Sequence, residues 1–152
     1  MAVTLKPGDK APHFEVLNQK GETVKLEDYK GRKLVLYFYP QDNTPTCTVE
    51  SCNLRDNYSE FKKQGYEILG VSPDSAKKHN NFIKKFDLPF DLLVDNELKV
   101  HNAYGVWDEK TTFGKTYMGT LRTTFVIDEN GMLEKVIEKV KSKEHHAQIF
   151  GN

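Results

Sequence analysis

Apolar positions along this chain change period in a regular order. Phe14 and Val16, then Val24 and Leu26, recur near every second residue on either side of a turn at Asn18 to Gly21, the alternation of a short antiparallel hairpin. Lys33 to Tyr39 is instead a continuous apolar, β-branched and aromatic run after Gly31, which predicts a strand buried on both faces in the sheet centre and ending at Pro40. From Thr46 to Gln64 the period lengthens: Val49, Leu54, Tyr58 and Phe61 fall at helical spacing and Gly65 supplies a stop, predicting one helix. The alternation continues with a strand at Tyr66 to Ser72, a helix at Ser75 to Phe86, a strand at Phe90 to Val94 and a helix at Asn96 to Tyr104. Thr123 to Asp128 and Met132 to Glu138 flank an Asn-Gly turn and read as a second hairpin, and a last helix begins at Ser142. That order predicts a single α/β domain over residues 1–152, with a central mixed β-sheet flanked by helices and an N-terminal β-hairpin added to it.

Gly105 to Arg122 does not fit this rhythm. It shows no clear period and spreads Trp107, Phe113 and Tyr117 among three glycines. A connection of that length inside a compact domain is usually functional or disordered; its aromatics lean toward function, and a surface loop whose aromatics seal a core edge fits them equally.

Composition narrows the partners. Lys plus Arg and Asp plus Glu are 22 each, so no net field gathers nucleic acid or an anionic membrane. The opening Met1 to Gly8 has no basic stretch followed by an apolar one, as a signal peptide would, and no apolar run approaches the roughly 18 residues of a membrane span. A cytoplasmic protein is expected. In a reducing compartment the two cysteines are not expected to form a structural staple; they are inert, metal-bound or chemically used.

Their placement is informative. Pro40-Gln41-Asp42-Asn43-Thr44-Pro45-Thr46-Cys47-Thr48-Val49-Glu50-Ser51-Cys52 lies where the buried strand ends and the first helix begins, the end of an α/β sheet where ligands bind. With Thr44 as N-cap and Pro45 at the first helical position, Cys47 falls in the first turn. Unpaired N–H groups and the positive end of the helix dipole there favour thiolate over thiol, which makes Cys47 a candidate nucleophile. A lone intracellular cysteine is more often a small buried apolar side chain; Cys52, five residues on, shifts that balance. On an ideal helix that spacing separates the Cα atoms by about 8.7 Å, whereas a disulfide tolerates about 7 Å. Either the pair never bonds, or the helix unwinds around Thr48 to Ser51, where Thr48, Val49 and Ser51 are mediocre helix formers.

Other uses of the pair fit less well. Zinc needs more soft ligands at knuckle spacing, and a dithiol oxidoreductase of thioredoxin type needs Cys-x-x-Cys, which is absent. Arg122, just before the apolar strand at Thr123, is a second candidate: near Cys47 its guanidinium would stabilise a thiolate and orient an oxygen substrate. Gly114-Lys115-Thr116 lacks the first glycine and the preceding strand of a phosphate loop. The histidines, including His145 and His146, show no spacing that suggests a relay and read as exposed, as does the charged run Lys139 to Glu144.

At these residues the chain resembles the peroxiredoxin family. Pro40-x-x-x-Thr44-x-x-Cys47 matches its active-site pattern, Arg122 in Arg-Thr-Thr-Phe-Val-Ile-Asp matches its distal arginine, and the similarity runs from Pro7-Gly8-Asp9-Lys10-Ala11-Pro12 through Tyr104-Gly105-Val106-Trp107 to Arg122. It looks like the bacterioferritin comigratory, or PrxQ, branch. The resemblance implies a thioredoxin-like fold and a thiol peroxidase acting on hydrogen peroxide or organic hydroperoxides. Cys47 would be the peroxidatic nucleophile, Thr44 and Arg122 donors to thiolate and peroxide, Pro40 a shield over the sulfur, and Cys52 the resolving thiol of an intramolecular disulfide. Thioredoxin, or a glutaredoxin-like dithiol, would be the reductant, with no cofactor, and a monomer would suffice. Thr46 departs from the branch, which commonly has Gly there, and bears on pocket shape. Outside this class, the same pair would suit a redox sensor whose thiols switch a partner contact.

Overall fold

The computed structural model describes residues 3–151; Met1 and Ala2, part of the opening stretch read above, and Asn152 lie outside the described residues. In chain order the elements are β1 (Glu15–Leu17), β2 (Thr23–Lys25), β3 (Lys33–Phe38), α1 (Pro45–Asp56), α2 (Tyr58–Lys63), β4 (Tyr66–Ser72), α3 (Ala76–Phe86), β5 (Asp91–Val94), α4 (Lys99–Tyr104), β6 (Trp107–Thr112), β7 (Lys115–Thr120), β8 (Thr123–Ile127), β9 (Leu133–Ile137) and α5 (His145–Phe150). A central five-stranded sheet has the order β5-β4-β3-β8-β9. β3 pairs in parallel with β4, and β4 with β5, while β8 runs antiparallel to both β3 and β9. This is the mixed sheet that the alternation predicts.

The uninterrupted apolar run of β3 supplies both faces of the sheet. Leu34, Leu36 and Phe38 pack with Leu69, Val71, Phe125 and, from outside the sheet, Phe14, Val100 and Tyr104. Val35, Tyr37 and Tyr39 point the other way, against Leu54, Phe61, Phe82 and Ile149 of the helices. Each such fully buried Leu or Phe stabilises the fold by about 1.5–3 kcal/mol relative to leaving it in water. Gly70 in β4 is dictated by this packing, since a Cβ there would stand 2.6 Å from Leu92 Cδ2 and 2.9 Å from the Tyr37 ring.

Two expectations are corrected. The helix read as continuous from Thr46 to Gln64 breaks at Asn57, whose φ of −111° and ψ of 11° leave the helical region. The Asn57 side chain bonds the Asn53 carbonyl at 2.8 Å, the local competition with helix hydrogen bonding that Asn commonly offers. The stretch Gly105 to Arg122 is not irregular: β6 and β7 form a two-stranded antiparallel hairpin, paired from Trp107 with Thr120 to Thr112 with Lys115. Its turn places Phe113 and Gly114 at positive φ, 51° and 77°, as a two-residue hairpin turn requires. Phe113 is fully exposed, so the aromatic at the tip seals nothing.

Candidate active site

Register brings the site together. Phe38 at the end of β3 pairs with Thr123 at the start of β8, so Arg122 arrives at the end of the sheet where the chain leaves β3 and enters α1. The loop between is pinned at Asp42. Tyr39 Oη donates to Asp42 Oδ1 at 2.5 Å, His79 Nδ1 lies 2.6 Å from Asp42 Oδ2, and Asp42 N donates to Asp74 Oδ2 at 2.6 Å. Thr44 then takes the N-cap position and Pro45 opens the helix, with Thr48 N closing the first turn on Thr44 O at 2.8 Å.

Cys47 therefore sits in the first turn of α1, buried to 1% exposure. Arg122 Nη2 donates to its sulfur at 3.3 Å, and Nη1 donates to Glu50 Oε1 at 2.9 Å. Burial works against the guanidinium's charge, but Cys47 and Glu50 beside it hold the Arg122 pKa above its ordinary value. The arginine is thus a fixed cation shared between a sulfur and a carboxyl, with 22% of its side chain open to solvent.

Glu50 is fully buried, and burial pushes its carboxyl up to about 7 despite the opposing pull of Arg122. Behind it stands His145 of α5, its Nε2 at 3.4 Å from Glu50 Oε2 and 2.7 Å from Thr124 Oγ1. Burial pushes this imidazole down to about 4. Neither residue was among the sequence candidates. Glu50 was detectable, since a residue three positions after Cys47 shares its helix face.

The remaining candidates are placed as follows. Cys52 lies in the same helix, partly buried, and both cysteines are free thiols. Burial raises the Cys52 pKa above its ordinary value, with Arg55 opposing. Thr44 directs its hydroxyl to the Gln41 carbonyl at 3.1 Å, which tightens the loop and leaves its oxygen lone pairs, rather than its hydrogen, for other partners. Pro40 is half-buried at the end of β3.

The histidines correct a further expectation. His79, His101 and His145 are fully buried, not exposed. Each finds partners for both ring nitrogens: His79 with Asp42 and Leu93 O, His101 with Asp95 and Thr120 Oγ1, His145 with Thr124 and Gln148. Those partners are distant in sequence, so no local spacing announces them. Among the described residues no group of three or more His, Cys, Asp or Glu is placed to hold a metal ion, and no helix is long and apolar enough to cross a membrane.

The AhpC/TSA family model matches residues 7–136, a span that contains Cys47, Cys52 and Arg122. The chain belongs to this family. Its relatives place it among the peroxiredoxins: it is 52% identical over 148 residues to peroxiredoxin Bcp of Bacillus subtilis, covering 97% of this chain and 94% of that one. Among solved structures it is similar to PrxQ of Xylella fastidiosa, with a TM-score of 0.91 at 30% identity over 97% of this chain and 94% of that one. It is also similar to the Xanthomonas campestris bacterioferritin comigratory protein, studied for its alkyl peroxide reduction activity as a trapped intermediate and ligand complex. There the TM-score is 0.84 at 35% identity over 90% of this chain and 87% of that one. As a peroxiredoxin of the Bcp/PrxQ branch with a thioredoxin-like fold, the chain presents its thiol and arginine from the two segments where the family motif falls.

Proposed function

We propose that this peroxiredoxin reduces hydrogen peroxide and organic hydroperoxides through Cys47, with Cys52 as the resolving thiol. The observation that carries the proposal is the Arg122 guanidinium 3.3 Å from a buried sulfur in the first turn of α1. That arrangement sets a fixed cation beside the attacking sulfur and leaves donors aimed where charge develops on the departing oxygen. The Cys47 thiolate attacks one peroxide oxygen in line, the O–O bond breaks, and the departing oxygen takes a proton to leave as water or an alcohol. Cys47 is then a sulfenic acid. Local unwinding of α1 brings Cys52 to it; condensation forms the Cys47–Cys52 disulfide, releases water, and protects Cys47 from further oxidation. An external dithiol, thioredoxin or a glutaredoxin-like protein, reduces that disulfide and is itself oxidised. The cycle draws both thiols from one chain, which supports a monomer, and its reliance on an external dithiol suits the reducing cytoplasm. Pro40 and Thr44 complete the pocket, Pro40 by screening the sulfur from water and Thr44 by contact with the peroxide.

The test is peroxide consumption with thioredoxin, thioredoxin reductase and NADPH, comparing wild type with Cys47→Ser and Cys52→Ser. Turnover abolished by Cys47→Ser, with Cys52→Ser still reducing one equivalent, is the expected result. Wild-type inactivity toward every peroxide and dithiol supplied would overturn the reading.

A further inference from the structure

A carboxyl and an imidazole lie buried behind Arg122 and have no part in the steps above. Glu50 and His145 are both fully buried. Glu50 Oε1 accepts from Arg122, but Oε2 has no hydrogen-bond partner, and His145 Nε2 approaches it to 3.4 Å.

The hydrogens on His145 are fixed by its neighbours. Gln148 Nε2 donates to Lys139 O at 2.9 Å and Gln148 Oε1 accepts from Lys141 N at 2.8 Å, so the amide is oriented from both ends. Its Oε1 can only accept. His145 Nδ1, 2.9 Å from that oxygen, therefore carries a hydrogen. The ring gains or loses its titrating proton at Nε2, the atom that faces Glu50. If Nε2 were bare it would accept from the Thr124 hydroxyl 2.7 Å away, and an ionised Glu50 would then keep a buried carboxylate oxygen with no donor, a costly arrangement. One proton on either atom removes the conflict.

We propose that Glu50 and His145 hold one proton between them in the reduced protein, and that this proton decides how much of the Arg122 charge reaches Cys47 and a bound peroxide. With the proton in place the pair is neutral, and the guanidinium acts undivided on the sulfur 3.3 Å away. Once the proton is lost, a carboxylate 2.9 Å from Arg122 Nη1 competes for that charge. Glu50 and His145 are positioning residues here, since neither touches the peroxide. Burial pushes Glu50 up to about 7 and His145 down to about 4, which puts the shared proton on the carboxyl side. The other groups facing the pair are Cys47 on α1, Arg122 before β8, Tyr37 of β3, which burial keeps well above its ordinary pKa, Thr124 of β8, and His146 beside His145.

The role in the reaction rests on the peroxidase reading; the shared proton does not, and two readouts separate them. In reduced wild-type protein, Glu50 carboxyl carbon and His145 ring nitrogen resonances are followed by NMR from about pH 5 to about pH 9. The expected result is one proton retained by the pair through slightly acid pH and lost in a single step near neutrality. A Glu50 already fully ionised at about pH 6 beside a bare His145 Nε2 would overturn the proposal. Single-turnover oxidation of Cys47 is then measured over the same range for wild type, Glu50→Gln and His145→Gln. The wild-type rate should fall on the alkaline side, Glu50→Gln should lack that fall, and in His145→Gln it should move by about one pH unit or more. Three superimposable profiles from folded proteins would also overturn it. If the wild type reacts with no peroxide at all, the peroxidase reading fails, while the NMR titration still decides where the proton resides.

Discussion

Joining Cys47 to Cys52 must dismantle the start of α1, and Glu50 makes that step depend on pH. The two thiols lie in one helix, at a spacing that holds their Cα atoms about 8.7 Å apart while it stays wound, beyond the reach of about 7 Å for a disulfide. Glu50 lies between them, so unwinding carries it from its buried place beside Arg122 into water. Wound, its carboxyl is pushed by burial from 4.5 up to about 7; unwound, it returns to the ordinary value. The wound helix therefore binds this proton more tightly. Below about pH 4.5 both forms are protonated and the wound form keeps its full advantage. Between there and about pH 7 that advantage falls by about 1.4 kcal/mol per pH unit, and above this window both forms are ionised and the loss levels off. Over the interval from 4.5 to about 7 the loss is about 3 kcal/mol, a few hundredfold in the unwinding equilibrium. The assay oxidises the reduced protein with one equivalent of peroxide, follows sulfenic acid and disulfide separately by rapid quench and mass spectrometry, and takes the rate of the second step alone, for wild type and Glu50→Gln. Cys52 must also ionise, and burial holds its thiol above the ordinary cysteine value, so both proteins accelerate with pH; the ratio of their rates cancels that shared dependence. The ratio of wild type to variant should climb from about pH 4.5 to about pH 7 and then stay flat. A ratio independent of pH would refute the coupling of Glu50 burial to unwinding.

Three other outcomes are expected. Arg122→Ala removes the donor at 3.3 Å from Cys47 and strands buried Glu50; the rate constant for Cys47 oxidation, read by stopped flow, should drop by about 10²–10³, and Arg122→Lys, unable to span both partners, should not restore it. Asn53→Ala deletes the bonds from α1 to Lys143 O at 3.0 Å and from His146 N at 2.8 Å. Hydrogen exchange at the α5 amides should accelerate, with about 1–2 kcal/mol lost in urea unfolding. Gly70→Ala drives a Cβ to 2.6 Å from Leu92 and 2.9 Å from Tyr37, so the urea midpoint should fall by the equivalent of about 1–3 kcal/mol. An unchanged midpoint would mean that this packing yields without cost.

The sheet was legible because β3, β4 and β8 carry runs of apolar residues buried on both faces, and α1 because a Thr-Pro start and helical spacing coincide. The β6–β7 hairpin was not, for a physical reason. Apart from its last residues β7 is exposed, so no alternation of buried and open positions marks the strands, and its turn uses Phe113 at positive φ where Asn or Gly would signal it. The break at Asn57 hides within a helical apolar period because Leu54, Tyr58 and Phe61 keep facing the core across it. Within the site, Cys47 and Arg122 were found by motif and element position, and the structure brings them into contact. Glu50 and His145 were missed: an acid on a helix and a histidine near a charged run look solvated until tertiary packing closes over them.

Burial of three histidines bears on how a thiol at a strand end stays aligned. Each sits on a helix and grips a segment that leads to the site. His79 of α3 holds Asp42 in the loop before α1 at 2.6 Å; His101 of α4, itself held by Asp95 at 2.6 Å, bonds Thr120 just before Arg122 at 2.9 Å. These contacts are short and dry, with the histidines and carboxylates almost fully buried, so breaking either would strand a buried polar group. The contact from His145 to Glu50 differs. At 3.4 Å it is long for a hydrogen bond, it reaches into α1 itself, and its strength follows a proton. A loop and an arginine are thus held by ties outside α1, while α1 itself is tied through Asn53 to Lys143 O and His146 N and through Ser51 to Tyr37, and has the mediocre helix formers Thr48, Val49 and Ser51 between its thiols. If α1 unwinds after oxidation, the Arg122 segment and the Asp42 loop have independent reasons to stay in place. The thiol pair can then close without dissolving the pocket to which Cys47 must return.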